Sequence, residues 1–372
     1  MSHILVPAFF AADAPFSPNL TSLFSLPTSK GGLSIPILKE EAPQQYADSL
    51  SLTSPHVESI ISQDNCLRRT NSEGKDLYDL RTQLTTAKAG RIKEKTTKIY
   101  ESLTEDAQIF MKQSQDKGAS SWVNAIPIVD EGFNVNKTEY FDALRLRYNL
   151  PLPNLPAFCA CGKTYSVSHG LECSKGGFVN QRHDNIRDLF VRLLNEVCTN
   201  VQAEPHLTNL SGEVMHYATA IRGDDARLDI KARGFWRRGQ DAFFDVRVTH
   251  VNAESQRHMD TPTIFHKHEQ EKKRHYNQRC MDQNATFTPL VFGTNGGVGK
   301  ECSMFLKTLA EKLSEKRNED YNITMNWLRT KLSFEVLKSA LLCVRGSRTP
   351  WYKKSQVQIS EDFGLSVVTA GL

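Results

Sequence analysis

At 372 residues, with 39% apolar and 24% charged side chains, the chain has room for about two to three cored domains and the makeup of an ordinary soluble protein. No apolar run approaches the roughly 20 residues of a bilayer span. The opening MSHILVPAFFAADAPF has no basic n-region and is broken by Pro7 and Asp13, so neither a membrane protein nor a secreted one is expected. The net charge of +4 is too small to mark a nucleic-acid binder by itself, and eight cysteines in a reducing compartment point to metal before disulfides.

Residues 1–40 are rich in Pro, Ser and Gly, and LPTSKGGLSIP places a turn at Lys30-Gly31-Gly32 between two short apolar segments. Residues 42–63 carry weak helical spacing. From 76 to 115 the spacing is strongly helical, with a basic run at Lys88, Arg91, Lys93, Lys95 and Lys98 that suits a solvated helix face. Gly118 is expected to close that helix, and SSWVNAIPI to form a small core patch from Trp122, Val123 and Ile126. A helix follows at 137–147, and PLPNLP then reads as a linker and boundary. The best amphipathic helix is RHDNIRDLFVRLLNEV, with Ile186, Leu189, Phe190, Leu193, Leu194 and Val197 three and four apart and Asp184 placed to cap it. Extended segments are expected at 201–204, 226–230, 242–248 and 288–292, with a helix at 267–279 between the last two. Helices follow at 304–313 and 325–343, and the last 20 or so residues read as loosely ordered. The order helix, three strands, helix, strand predicts a mixed α/β, or α+β, core behind a helical N-terminal half and before a helical C-terminus.

Cys159, Cys161, His169 and Cys173 stand as C-x-C-x7-H-x3-C within 15 residues. Three thiolates and an imidazole satisfy tetrahedral Zn²⁺, and a segment with so little apolar content gains folding free energy from a structural metal. Two acids stand in apolar strand segments, Asp229 in ARLDI and Asp245 in AFFDVRV. On neighbouring strands their carboxylates would repel unless a cation bridges them, which suits Mg²⁺ or Mn²⁺, and Glu204 in QAEPHL is a candidate third ligand. In EKKRHYNQR, Lys272 and Tyr276 share a helix face, so a lysine could meet developing negative charge; Glu269 and Lys273 share another. Residues 226–279 hold 12 Lys/Arg against 7 Asp/Glu and five of the 11 histidines, a basic surface beside acidic ligands that would attract a polyanion. The same charges also describe a solvated face. GTNGGVGK at 293–300 departs from a phosphate loop, since Glu301 follows Lys300 where Ser or Thr is required.

The succession of a Cys/His knuckle, Arg182-His183-Asp184 at a helix start, an R-x-D strand, a D-V-x-V strand and a K-K-x-x-Y helix resembles the C-terminal region of non-LTR retrotransposon proteins. These carry a CCHC-type zinc knuckle and a restriction-like endonuclease of the PD-(D/E)XK superfamily. LFSLPTSKGGLSI is similar to the segment that follows their polymerase core, and SSWVNAIPI to a piece of their linker, so the likeness covers most of residues 20–348. The resemblance implies a polymerase-tail-like segment at 1–62, a helical linker domain at 63–150, the zinc knuckle at 157–177, a nuclease domain with an αβββαβ core at 178–310, C-terminal helices at 311–350 and a tail at 351–372. It implies Asp229 and Asp245 as metal-binding acids, with Glu204, Lys272 and Tyr276 completing a catalytic set. Arg182, His183, Arg233, Arg237, Arg238 and Lys273 would face nucleic acid. DNA is the implied partner, with element RNA a further one, and a nuclear location follows from that substrate. Two positions depart from the pattern: Leu228 precedes the first aspartate in place of proline, and Arg247 stands where the wider superfamily has lysine. No polymerase palm fits upstream. The expected function is therefore metal-dependent nicking of DNA, by an active enzyme or a remnant, or else nucleic-acid binding without turnover.

Overall fold

The computed structural model describes residues 8, 10, 17–63, 71–207, 227–256 and 258–346, with backbone alone for 71–77. They form two compact units, divided between Gln115 and Asp116. The PLPNLP segment lies inside the second unit. The tail expected at 351–372 and residue 226 lie outside the described residues.

In the first unit, α1 (Pro18–Ser25) opens with Ser17, whose side chain accepts from the Leu20 N–H. The predicted turn is a 3₁₀ turn at Thr28–Lys30 closed by Gly31 at φ 90°, a left-handed conformation that glycine adopts without cost. Phe10, Leu23, Phe24 and Met111 are buried, with Phe10 and Phe24 stacked at 4.8 Å. Two long helices follow, α2 (Leu38–Ile61) and α3 (Asn71–Ser102). Arg91 pairs with Asp48 at 3.0 Å and Lys95 with Glu40 at 3.2 Å, so part of the basic run is an ion-paired helix surface. The expected helix over 76–115 is two helices. Leu103 and Thr104 interrupt it, because the Thr104 side chain accepts from the Ala107 N–H and Glu105 and Asp106 fill the first turn of α4 (Glu105–Gln113). That helix ends at Gln113, short of Gly118.

The second unit is built around a four-stranded sheet in the order β1-β2-β3-β4: Thr199–Ala203, Ile230–Arg233, Asp241–Thr249 and Thr286–Gly293. The first two pairings are antiparallel and β3–β4 is parallel. Before the sheet come α5 (Lys137–Arg147), α6 (Val167–Glu172) and α7 (Phe178–Val197). Helix α8 (Thr261–Asp282) joins β3 to β4, and α9 (Lys300–Arg317) and α10 (Tyr321–Arg345) complete the chain order. The architecture is therefore mixed α and β, mainly helical. Alternation along β3 divides the core. Ala242, Phe244 and Val246 pack with Phe190 of α7 and Phe305 of α9, while Phe243 faces Cys280 of α8 together with Leu228 and Phe287. Phe190, Phe235, Phe244, Phe292 and Phe305 are fully buried, each contributing about 1.5–3 kcal/mol by leaving water.

Three local expectations are corrected. Gly177, left-handed at φ 77°, precedes α7, and Asp184 lies inside the helix, bonded to Arg187 at 3.0 Å. The strand expected at 226–230 begins at Ile230, with Arg227 in an isolated bridge to His206. Trp122 is buried as expected, but Ile126 is 77% exposed and belongs to no core patch. Among the described residues, no helix is long and apolar enough to cross a membrane.

Candidate functional site

The Cys/His segment folds as a tight turn followed by a short helix. Cys159 N–H bonds Lys163 O, Gly162 N–H bonds Cys159 O, and Phe158 bridges Thr164, bringing Cys159 and Cys161 to one side. Ser166 then caps α6 by accepting from the His169 N–H, which sets His169 and Cys173 facing the turn. The four ligand atoms lie within 4.8 Å of one another, and among the described residues this is the one such grouping of three or more His, Cys, Asp or Glu. Cys159 Sγ and Cys173 Sγ are 3.9 Å apart, and Cys161 Sγ and His169 Nε2 are 3.3 Å apart. Tetrahedral Zn²⁺ with its usual bond lengths places two sulfurs about 3.8 Å apart and a sulfur and a nitrogen about 3.6 Å apart. The set is thus shaped for a metal such as zinc, and the single residue between the first two cysteines does not prevent it. A backbone N–H from Lys163 holds the Cys161 thiol below its ordinary pKa, while burial pushes Cys159 up.

The metal cluster is anchored to the rest of its unit. Tyr165 Oη donates to Val344 O of α10, and Ser168 Oγ is 2.8 Å from His250 Nε2 just after β3. Arg182 of α7 donates to Leu171 O of α6 at 3.0 Å and is 3% exposed. This corrects its expected role: a guanidinium enclosed between two helices meets no external phosphate.

The acid pair is brought together by register. Ile230 pairs with Phe244, so Asp229, one residue before β2, faces Asp245 across the antiparallel ladder. The Asp229 carboxylate accepts from the Val246 N–H at 2.6 Å and lies 3.1 Å from His183 Nε2 on α7. Asp245 stands in the middle of β3 and is 5% exposed. Lys272 reaches it from α8, with Nζ 2.8 Å from Oδ2. The approach is short but poorly directed, so that buried oxygen receives no linear hydrogen bond and the contact is one of charge. Burial lifts the Asp245 carboxyl to about 6, with the Asp229 charge adding to the lift and Lys272 opposing it. Burial works against the imidazolium of His183, but Asp229, and then Asp184 and Asp245, outweigh it and raise it to about 9. Burial likewise opposes the Lys272 cation, and Asp245 overcomes it to raise the pKa.

Other expected members fall elsewhere. Glu204 is exposed, with its carboxylate held by Arg187 at 2.6 Å and Arg227 at 3.3 Å. Its backbone N–H bonds Asp229 O, yet a φ of 50° turns it out of the regular strand geometry. It is engaged as an ion-pair partner and not as a third ligand. Tyr276 packs against Phe287, and its ring lies 5.7 Å from Lys272 Nζ. Arg247 pairs with Glu271 at 2.8 Å, leaving Lys272 as the cation on Asp245. Arg233, Arg237 and Arg238 are exposed around the β2–β3 turn, while Lys273 is tied to Glu301 at 2.6 Å. His183 was expected at a nucleic-acid surface; its partner is the first acid. Its place directly before Asp184 in the RHD triplet carried no signal for that role.

The Gly-rich turn before α9 is closed to phosphate. Glu269, 3% exposed, accepts from the Glu301 N–H at 2.9 Å, and a Cβ on Gly299 would meet that carboxylate at 2.4 Å. A buried carboxyl already occupies the helix N-terminus. Comparison of the chain with protein-family models and with curated proteins finds no match.

Proposed function

We propose that the second unit is a metal-dependent DNA endonuclease, or the remnant of one, on a restriction-endonuclease-like αβββαβ core of retroelement type. The observation that carries the reading is the convergence of Asp229, Asp245 and Lys272, from the start of β2, the middle of β3 and the following helix. Two carboxylates in cross-strand register would offer the hard oxygen donors that Mg²⁺ or Mn²⁺ takes, one of them held here by Lys272. Asp229 and Asp245 would hold the ion. When bound, such an ion activates a phosphodiester and a water as a Lewis acid.

The chain's own groups account for the rest. Lys272 keeps a full positive charge beside Asp245, where negative charge would grow on a scissile phosphate. Tyr276 supports the ammonium through its ring. His183 orients the Asp229 carboxylate. Arg233, Arg237 and Arg238 offer charge to a DNA backbone without reading sequence. The Cys₃His centre, read as a structural zinc knuckle, would tie the turn at 159–161 to α6 ahead of this site. A nuclear location and an association with element RNA belong to the same reading.

A second reading is a nucleic-acid-binding protein without turnover. It is favoured by the ion-paired Glu204 carboxylate and the small exposure of Asp245. Supercoiled plasmid incubated with the chain separates the two. Nicked circles in Mg²⁺ or Mn²⁺, absent with EDTA and reduced at least about 100-fold by Asp245→Asn, are expected for the enzyme. Retention of DNA in a gel with no nicking in either metal would establish the binder instead.

A further inference from the structure

Away from the acid pair, the segment at 117–118, the turn before α9, and helices α9 and α10 line a small cleft. Its floor is apolar, with Leu306 and Leu332. Two cations line it, Lys117 and Arg329, and so do two hydroxyls, Ser303 and Ser333. Lys117 Nζ donates to Ser303 Oγ at 2.8 Å, and Ser333 Oγ accepts from the Trp122 N–H at 3.2 Å, so both hydroxyl hydrogens remain to donate. No acidic residue lines the cleft. Among the described residues, no carboxylate lies in ion-pair range of Lys117, Arg329 or the neighbouring Lys307. Three other cations of the same helices are engaged: Arg317 with Glu196, Arg345 with Asp142, and Lys331 with the Glu131 carbonyl.

We propose that this cleft is an oxyanion site, taking a phosphate group between Lys117 and Arg329. Two cations and two hydroxyls line one cleft with no carboxylate among them, which suits an oxyanion better than a cationic ligand. Burial first, and then the charges of Arg329 and Lys307, hold the Lys117 ammonium below its ordinary pKa. Like charge is therefore gathered there without a carboxylate to balance it, and an anion would relieve it. Free inorganic phosphate and a nucleic-acid backbone share this chemistry.

The site is independent of the acid pair, and nicking is not its readout. Calorimetric titration of the full chain with sodium phosphate at low ionic strength tests it, alongside anisotropy of a short labelled DNA duplex. Saturable binding is expected, weakened about tenfold or more by Arg329→Gln and in the same direction by Lys117→Gln. Lys88→Gln, a charge change on the exposed face of α3, should leave it unchanged. If both probes lose affinity and phosphate competes with the duplex, the ligand is a backbone phosphate. Loss for phosphate alone identifies the free ion. Should Arg329→Gln fail to fold by circular dichroism, Ser303→Ala keeps both cations and should still cost severalfold. Absence of saturable binding of either probe, or an equal loss in Lys88→Gln, overturns the proposal.

Discussion

Replacing Arg182 by alanine separates two roles for one residue, because its neighbours in sequence suggest DNA and its burial suggests architecture. At 3% exposure the methylene stem contributes about 2 kcal/mol by leaving water. Losing the 3.0 Å bond leaves the Leu171 carbonyl without that donor, at about 1–3 kcal/mol. Burial pulls the guanidinium pKa down, so removal also relieves a desolvation cost. The net expectation for Arg182→Ala is about 3–5 kcal/mol of lost stability. Arg182→Met keeps the stem and should lose about 1–3 kcal/mol. Urea unfolding followed by tryptophan fluorescence measures this selectively, since residues 1–115, the first unit, contain no tryptophan and Trp122, Trp236 and Trp327 lie in the second. DNA affinity against salt supplies the second readout. A phosphate contact would take about one from the slope, whereas a structural residue leaves the slope of the folded variant unchanged. Unaltered stability with a shallower salt slope would refute the structural assignment and return Arg182 to a binding surface.

One zinc per chain is expected by elemental analysis, retained through dialysis and lost in Cys173→Ser, because the 3.9 Å and 3.3 Å ligand separations need all four donors to close a tetrahedron. Glu269 tests the buried cap of α9 through pH. Burial, with Glu301 adding like charge, raises its carboxyl above the ordinary 4.5 against the Glu301 N–H that lowers it. A raised folded-state value means the contribution to stability is complete below 4.5 and declines as pH rises through the raised value. Glu269→Gln keeps the acceptor and should flatten that decline in urea titrations across the window; an unchanged pH profile would show that the carboxyl carries no such shift.

Much of the second unit is legible in the chain itself. The 3.6-residue spacing of Ile186, Phe190, Leu193 and Leu194 specifies a helix with one buried face, and α7 buries all four. The alternation in AFFDVRV specifies a strand with two different faces, which β3 shows. The cysteine and histidine spacing specifies a metal-shaped cluster, since turn and short helix are local structures set by nearby residues. Helix and strand boundaries were less legible where a single side chain decides. Thr104 ends one helix and begins another, and the left-handed Gly177 starts α7 seven residues before Asp184.

What the chain order alone determined is the set of elements and the identity of the chemical groups: helix, three strands, helix, strand, with two acids, a Lys/Tyr helix and a Cys/His turn. Which groups meet was decided by tertiary structure. The register of β2 against β3 sets Asp229 opposite Asp245, and the crossover helix delivers Lys272 to the second acid. The same packing sends Glu204 to two arginines, encloses Arg182, and places His183 on Asp229. These pairings join residues 11 to 46 positions apart, where neither periodicity nor propensity carries information. Only strand register and helix packing fix which carboxylate faces which cation. The physical reason is that a charge in a protein interior takes its role from the partners within a few ångströms, and those partners are chosen by the fold.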